Sequence, residues 1–194
     1  MNRTPAHPAL QGGIIAAGEG NRLRADGFRV SKPMVQVGGR PLIDHAIDRF
    51  RSVGIRRLTV AINEASDDCR QWLKGHAGDF DLDMIVRSTP SSYATFRLVA
   101  DKLVDAPAVI TTVDTIMPVA QFETFVASAS RFPDDAVVLG VTGHVDDPES
   151  RRALAERHRE HGEAVTAVAE HVAGGQTGHR VLDVLARRPG RFGL

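Results

Sequence analysis

Three positively charged or acidic side chains and one glycine turn carry the chemistry this sequence can do. Ala16-Ala17-Gly18-Glu19-Gly20-Asn21 follows an apolar run, Arg22 comes next, Lys32-Pro33 lies nine positions beyond Leu23, and Asp114 ends a second apolar run, Val109 to Val113. Small residues in a turn after a strand let backbone N–H groups approach phosphate oxygens, and Gly18 and Gly20 can adopt positive φ at little cost. Arg22 offers a guanidinium fork for non-bridging oxygens and for charge that builds on an α-phosphate during displacement. Lys32 adds a point-like cation, and Pro33 biases Lys32 itself toward extended backbone. A carboxylate at the carboxyl edge of a strand is where an α/β fold presents a ligand to Mg²⁺, although an Asp after a strand also commonly caps the next helix. Together these residues imply a site for a nucleoside triphosphate, with Ala16, Ala17, Gly18, Glu19, Gly20 and Asn21 as its phosphate-binding turn.

Two familiar phosphate motifs are excluded. A Walker loop would end in Gly-Lys-Ser/Thr, whereas Gly20 is followed by Asn21-Arg22; a dinucleotide fingerprint would need a small residue where Leu23 stands. The order of Gly-rich turn, Arg22-Leu23, Lys32-Pro33 and Arg40-Pro41-Leu42-Ile43 resembles the sugar-nucleotide pyrophosphorylases, the nucleotidyltransferases that join a nucleoside triphosphate to a sugar 1-phosphate. That resemblance implies a nucleotide-diphospho-sugar transferase-like fold, Arg22 and Lys32 as catalytic cations, and Asp114 as catalytic metal ligand for Mg²⁺. The molybdenum-cofactor nucleotidyltransferases share the turn but place their Lys closer to it, and stand as the alternative. In the family a Gly-Thr-Ala type loop reads the base; here Arg87-Ser88-Thr89-Pro90-Ser91-Ser92 holds that place, with Thr89 and Ser91 as candidate nucleotide contacts and no base-reading glycine. Ser91 or Ser92 can equally serve as the N-cap of the helix that follows.

The elements that must position these residues alternate along the chain. Gly13 to Ala17, Leu58 to Ile62, Met84 to Arg87, Ala108 to Val113 and Ala136 to Val141 are short apolar runs bounded by turn residues, expected as buried parallel strands. Pro41 suits a first helical residue, and Leu42, Ile43, Ala46, Ile47, Phe50 and Val53 recur at helical spacing until Gly54. Asp67 to Gly75, Tyr93 to Leu103 and Val119 to Ser130 are further helices. Repeated βα units predict a three-layer α/β/α doubly wound, mostly parallel sheet with its ligands at the carboxyl ends of the strands. His45, on a helix between apolar positions, fits a partly buried residue or a local hydrogen-bond partner, and Trp72 a core residue; Asp79, Asp81 and Asp83 line a loop and strand start without a calcium-loop pattern.

The chain of 194 residues is 42% hydrophobic with a formal net charge of zero, enough for one domain burying roughly 70% of its unfolded surface. Balanced charge gives no global field for nucleic acid or an anionic membrane, so an anion site must be local. The single cysteine, Cys69, excludes an internal disulfide. No run reaches the ~18 apolar residues of a membrane span, and the first ten residues lack a signal-peptide core, so a cytoplasmic location is expected.

Residues 1–146 form the expected nucleotide-binding core; residues 147–194 differ. From Ser150 onward there is no Lys or Ile, and Lys102 is the last lysine. The family resemblance implies an acceptor-sugar region here, with a Lys for the sugar phosphate and a second metal carboxylate, yet neither Glu170 nor Asp183 has a matching context. Three readings stay open: a divergent acceptor region of the same domain, with Glu163 to His171 as a strand and Gly178 to Arg187 as a helix; a lineage reduced to a nucleotide-binding or regulatory module; or an out-of-frame or truncated carboxyl end.

Overall fold

The computed structural model describes residues 10–103, 106–132, 136–140 and 183–186. Its centre is β1 (Gln11–Ala16), flanked in parallel by β4 (Arg57–Ile62) and β6 (Ala108–Thr112), with Gly12 opposite Leu58 on one side and Val109 on the other. β5 (Asp81–Val86) extends the sheet beyond β4, also in parallel, and with β7 (Val137–Gly140) and β8 (Asp183–Ala186) the order is β5-β4-β1-β6-β8-β7. A small antiparallel pair, β2 (Gln36–Val37) and β3 (Arg40–Pro41), stands apart.

Helices cover both faces because both faces are apolar. Ile14 and Ala16 of β1 belong to a large core shared with α2 (Leu42–Ser52), α3 (Asp67–His76) and α5 (Val119–Ala129), while Ile15 packs into a second core built by Val99 of α4 (Ser92–Ala100) and by Leu103. Gly12 and Gly13 make this double packing possible. A Cβ on Gly12 would lie 2.9 Å from side-chain atoms of Leu58 and Phe50, and one on Gly13 only 2.6 Å from Val99 Cγ1. Across the larger core, Phe50 meets Phe122 edge to face at 5.5 Å, joining α2 to α5. Cys69 sits inside it, where burial, with Asp68 adding to the effect, pushes its thiol up to about 12, far from a reactive thiolate.

The chain steps outward from β1 to β4 and β5, then returns to β6 on the other side of β1. At that reversal the connections leaving the carboxyl ends of the paired strands β1 and β6 run in opposite directions, which is where doubly wound folds hold ligands. The expected three-layer, mostly parallel architecture is present.

Several local expectations need correction. Pro41 is not helical: with φ −66° and ψ 150° it ends β3 and precedes α2, because it pairs with Gln36. β5 begins at Asp81, earlier than expected, and is half-exposed rather than buried, since it is an edge strand. α3 runs to His76, and α4 stops at Ala100 rather than Leu103. Gly178 to Arg187 was expected as a helix, but Asp183–Ala186 is strand β8, antiparallel to both β6 and β7 (Val137–Gly140). β7 therefore has an antiparallel neighbour instead of the parallel one expected. The expected strand Glu163 to His171 lies outside the described residues. Among the described residues no helix is long and apolar enough to cross a membrane. His45 bonds the Val37 carbonyl at 2.9 Å, and Trp72, partly buried against the core, stacks on His76 at 4.4 Å.

Candidate nucleotide site

The chain leaves β1 through Ala17, whose carbonyl accepts a 3.1 Å hydrogen bond from Asn63 Nδ2 at the end of β4. Asn63 Oδ1 in turn accepts from the Ala65 amide at 2.9 Å, so one buried amide side chain ties two loops together. Beyond Ala17 the backbone reaches the surface as Gly18-Glu19-Gly20, and α1 (Asn21–Ala25) begins. Gly20 has φ +65°, and a Cβ there would press to 3.3 Å from Lys32 Cβ. It is glycine for two reasons: its backbone is left-handed, and Lys32 lies against it. Gly18 is not among the positive-φ glycines and has open space around it. Asn21 donates to Glu19 at 2.6 Å, closing the turn.

Lys32 is delivered by a loop pinned at both ends. The Ser31 amide donates to Asp68 Oδ2 of α3 at 2.8 Å, and Pro33 is buried. Burial pushes the Asp68 carboxyl up, but hydrogen bonds from Ser31 and Cys69 hold it net below the usual carboxylate range. Lys32 opens a 3-10 turn, Lys32–Met34, rather than standing in extended backbone as Pro33 had suggested; Ser31 is the extended residue, and the Met34 amide bonds its carbonyl at 2.8 Å.

Asp114 follows β6 on a tight turn. The Val113 amide bonds Ile15 of β1, the Thr115 amide bonds the Thr112 carbonyl at 3.2 Å, and the hydroxyls of Thr112 and Thr115 meet at 2.8 Å. From below, Arg49 of α2, 1% exposed, donates from Nη1 to the Thr115 carbonyl at 2.5 Å. So held, Asp114 Oδ2 receives Lys32 Nζ at 2.6 Å, a contact between residues 82 apart in sequence. Burial pushes the Asp114 carboxyl up, yet Lys32, with Thr112 contributing, holds it net below its ordinary value, so it is an anion at neutral pH.

Gly18 to Asn21, Lys32 and Asp114 line one cleft of about 930 Å³ together with Thr89 to Ser92. Leu23, Val35, Val37, Leu42 and Ile116 provide its apolar wall. A cleft of this size with a few convergent polar groups suits a nucleotide-sized ligand. Ala16 and Ala17 do not line it: both are buried, Ala16 as the last residue of β1 and Ala17 just beyond it. Arg22 lies in α1, and its side chain is outside the described part of the structure. Ser91 Oγ accepts from the Ala94 amide at 3.1 Å and so caps α4, and Thr89 Oγ1 pairs with Thr95 Oγ1 at 2.6 Å, so both hydroxyls have structural partners at the cleft's edge. Arg40 folds back on Asp44 and Asp48 of α2, away from a ligand role.

A model of the MobA-like NTP transferase domain matches residues 12–189. The chain belongs to that family. As an NTP transferase domain it is 26% identical over 132 residues to the CMP-5'-(3-aminopropyl)phosphonate synthase of Streptomyces rubellomurinus, covering 66% of this chain and 21% of that protein. It is 31% identical over 75 residues to a mannose-1-phosphate guanyltransferase of Kluyveromyces lactis, 39% of this chain and 21% of that one. The chain thus spans about a fifth of the length of these two relatives, 21% of each. A solved structure from Bacillus anthracis, described as a glucose-1-phosphate thymidylyltransferase in complex with a sucrose, superposes with a TM-score of 0.62 at 23% identity, over 73% of this chain and 57% of that one, a likeness of fold.

Arg49, Asn63, Asp68, Thr112 and Thr115 position the residues of this cleft without having been marked by sequence. Two left a signal: Arg49 interrupts the apolar face of α2, and Asn63 is a polar residue at the carboxyl end of a strand.

Proposed function

We propose that this domain binds a magnesium–nucleoside triphosphate in the cleft and transfers its nucleotidyl group to a sugar 1-phosphate, releasing pyrophosphate. The observation that carries this reading is the meeting of Lys32 and Asp114 at 2.6 Å, in one cleft with the Gly18–Asn21 turn at the carboxyl ends of β1 and β6. The turn supplies backbone donors for the phosphates, and Arg22 and Lys32 supply positive charge. Ser92, exposed in the first turn of α4, and the backbone of Thr89 to Ser92 face the nucleoside.

The residues fit a magnesium ion. Mg²⁺ is held by one or two carboxylates plus substrate phosphates rather than by an all-protein cage, and Asp114 offers one such carboxylate, half-exposed in the cleft. When bound, the ion supplies charge neutralisation on the phosphates and the leaving group. Little acid–base chemistry is required of the protein. The acceptor's phosphate oxygen is already anionic at neutral pH; it forms a bond to the α-phosphorus in line as the bond to the bridging oxygen breaks, and that electron pair leaves with pyrophosphate. The domain's task is to align two polyanions and offset their repulsion.

The match running to residue 189, and β8 lying between β6 and β7, support residues 147–194 as an acceptor-side part of the same domain rather than an out-of-frame end. Similarity to a phosphonate synthase over 66% of the chain favours a second acceptor class, a phosphonate, whose anionic oxygen would attack in the same way. The test is a pyrophosphate-release screen crossing four common nucleoside triphosphates with sugar 1-phosphates, (3-aminopropyl)phosphonate and molybdopterin. Turnover with a sugar phosphate supports the reading; turnover with phosphonate or molybdopterin alone redirects it, and binding of a triphosphate without any turnover makes the protein a nucleotide-binding module. Asp114→Ala and Arg22→Ala are expected to lower turnover by about a hundredfold or more with the fold intact, the scale of losing a transition-state charge contact.

A further inference from the structure

We infer that Lys32 determines the form of ligand this site accepts: it excludes free divalent cation and admits the metal already complexed to a polyphosphate. The inference rests on the donor-site reading above and adds a property that reading does not require.

The ammonium of Lys32 stands 2.6 Å from Asp114 Oδ2, with the two side chains 28% and 49% exposed. The carboxylate is open to the cleft, but its Oδ2 is already covered by a cation. A bare divalent ion arriving there must displace the ammonium and leave Lys32 in the same small space, where two like charges repel. The lysine cannot simply withdraw with its loop. Ser31 is bonded to Asp68 and Pro33 is buried, so the backbone on both sides of Lys32 is fixed. Only its four-carbon stem is free to swing.

A polyphosphate changes the balance. The Gly18–Asn21 turn lines the same cleft as Lys32, so phosphate oxygens held there give the ammonium a second anionic partner. Lys32 then passes from Asp114 to phosphate, and the carboxylate is released as the ion carried by that phosphate reaches it. Glu19, the other carboxylate at the turn, accepts a hydrogen bond from Asn21 and is not paired with Lys32. Metal and nucleotide are thereby coupled through one side chain: each improves the other's binding because both remove the Lys32–Asp114 pair.

The experiment measures uptake of Mn²⁺ alone, by electron paramagnetic resonance of the free ion, in the wild-type chain, Lys32→Ala, Lys32→Arg and the double variant Lys32→Ala/Asp114→Asn. Lys32→Ala is expected to bind free Mn²⁺ about fivefold more tightly than wild type, the worth of a half-exposed ion pair, although it is a variant that loses turnover. The gain disappears in the double variant, and Lys32→Arg stays near wild type. Lys32→Gln repeats the measurement if Lys32→Ala fails to fold by circular dichroism. Equal or weaker Mn²⁺ binding by Lys32→Ala and Lys32→Gln, or a gain that survives Asp114→Asn, overturns the inference. A parallel titration with the manganese complexes of four nucleoside triphosphates separates the two levels. If wild type binds none of them, the donor-site reading itself falls; if it binds one while Lys32 variants gain nothing for free Mn²⁺, only the present inference falls.

Discussion

Arg49 shows how much of this site is held from behind. A buried arginine is an unusual core residue, yet the Arg49 Nη1 reaches the Thr115 carbonyl and its guanidinium carbon lies 5.9 Å from the Phe122 ring centre. It grips the backbone one residue beyond Asp114 and so acts on that carboxylate through main chain. Arg49→Met keeps most of the volume but removes the donor; leaving a buried carbonyl without that donor costs about 1–3 kcal/mol. Pyrophosphate release is expected to fall about tenfold or more, on the scale of that loss, with affinity for metal-free triphosphate unchanged and partial recovery in Arg49→Lys; unchanged turnover in Arg49→Met would show that the Asp114 turn holds its shape unaided. The sequence made Gly20, Lys32 and Asp114 legible because their types and local order carry the signal. Arg49, Asn63 and Asp68 act on partners 66, 46 and 37 residues away, and no local pattern encodes such pairings.

At the scale of elements, β1 is the spine on which both halves of the cleft hang, and Gly13 allows it. With Val99 Cγ1 only 2.6 Å from where a Cβ would stand, and Leu103 at 3.0 Å, Gly13→Ala forces α4 away from the sheet. Overpacking of this kind costs about 1–3 kcal/mol. The urea midpoint should drop accordingly, and an unchanged midpoint would mean that α4 is more loosely seated than the geometry indicates. Strands and helices near β1 were legible because alternating apolar runs and turn residues announce them. β8 was not: Val181, Leu182, Val184 and Leu185 can follow helical spacing as well, and pairing with β6 and β7, more than forty residues away in chain, decides for a strand. Pro41 likewise suited a helix start until its pairing with Gln36 claimed it.

At the scale of the molecule, balanced net charge leaves function to local groups, and acid stability rests on local carboxylates in the same way. Arg51 forks onto both oxygens of Asp79 at 2.7 and 2.9 Å and holds that carboxyl below its usual range, while Asp68 is held low by Ser31 and Cys69 against the upward push of burial. A carboxyl whose folded value lies below its unfolded one, about 3.9, binds fewer protons in the folded state. Its stabilisation is complete above that value and is lost as pH falls through the folded one. Thermal midpoints should therefore hold steady from neutral pH and decline below about pH 4, with a shallower decline in Asp79→Asn; a parallel decline in that variant would remove Asp79 from the account. The central claim, that the cleft holds a metal–triphosphate on the Gly18–Asn21 turn, Lys32 and Asp114, is tested most directly by calorimetric titration of wild type and Asp114→Asn with four magnesium–nucleoside triphosphates. Saturable binding of at least one nucleotide by wild type, weakened at least tenfold in Asp114→Asn as loss of one charged metal ligand implies, is the result expected. Binding of none, or equal binding by both proteins, would contradict it.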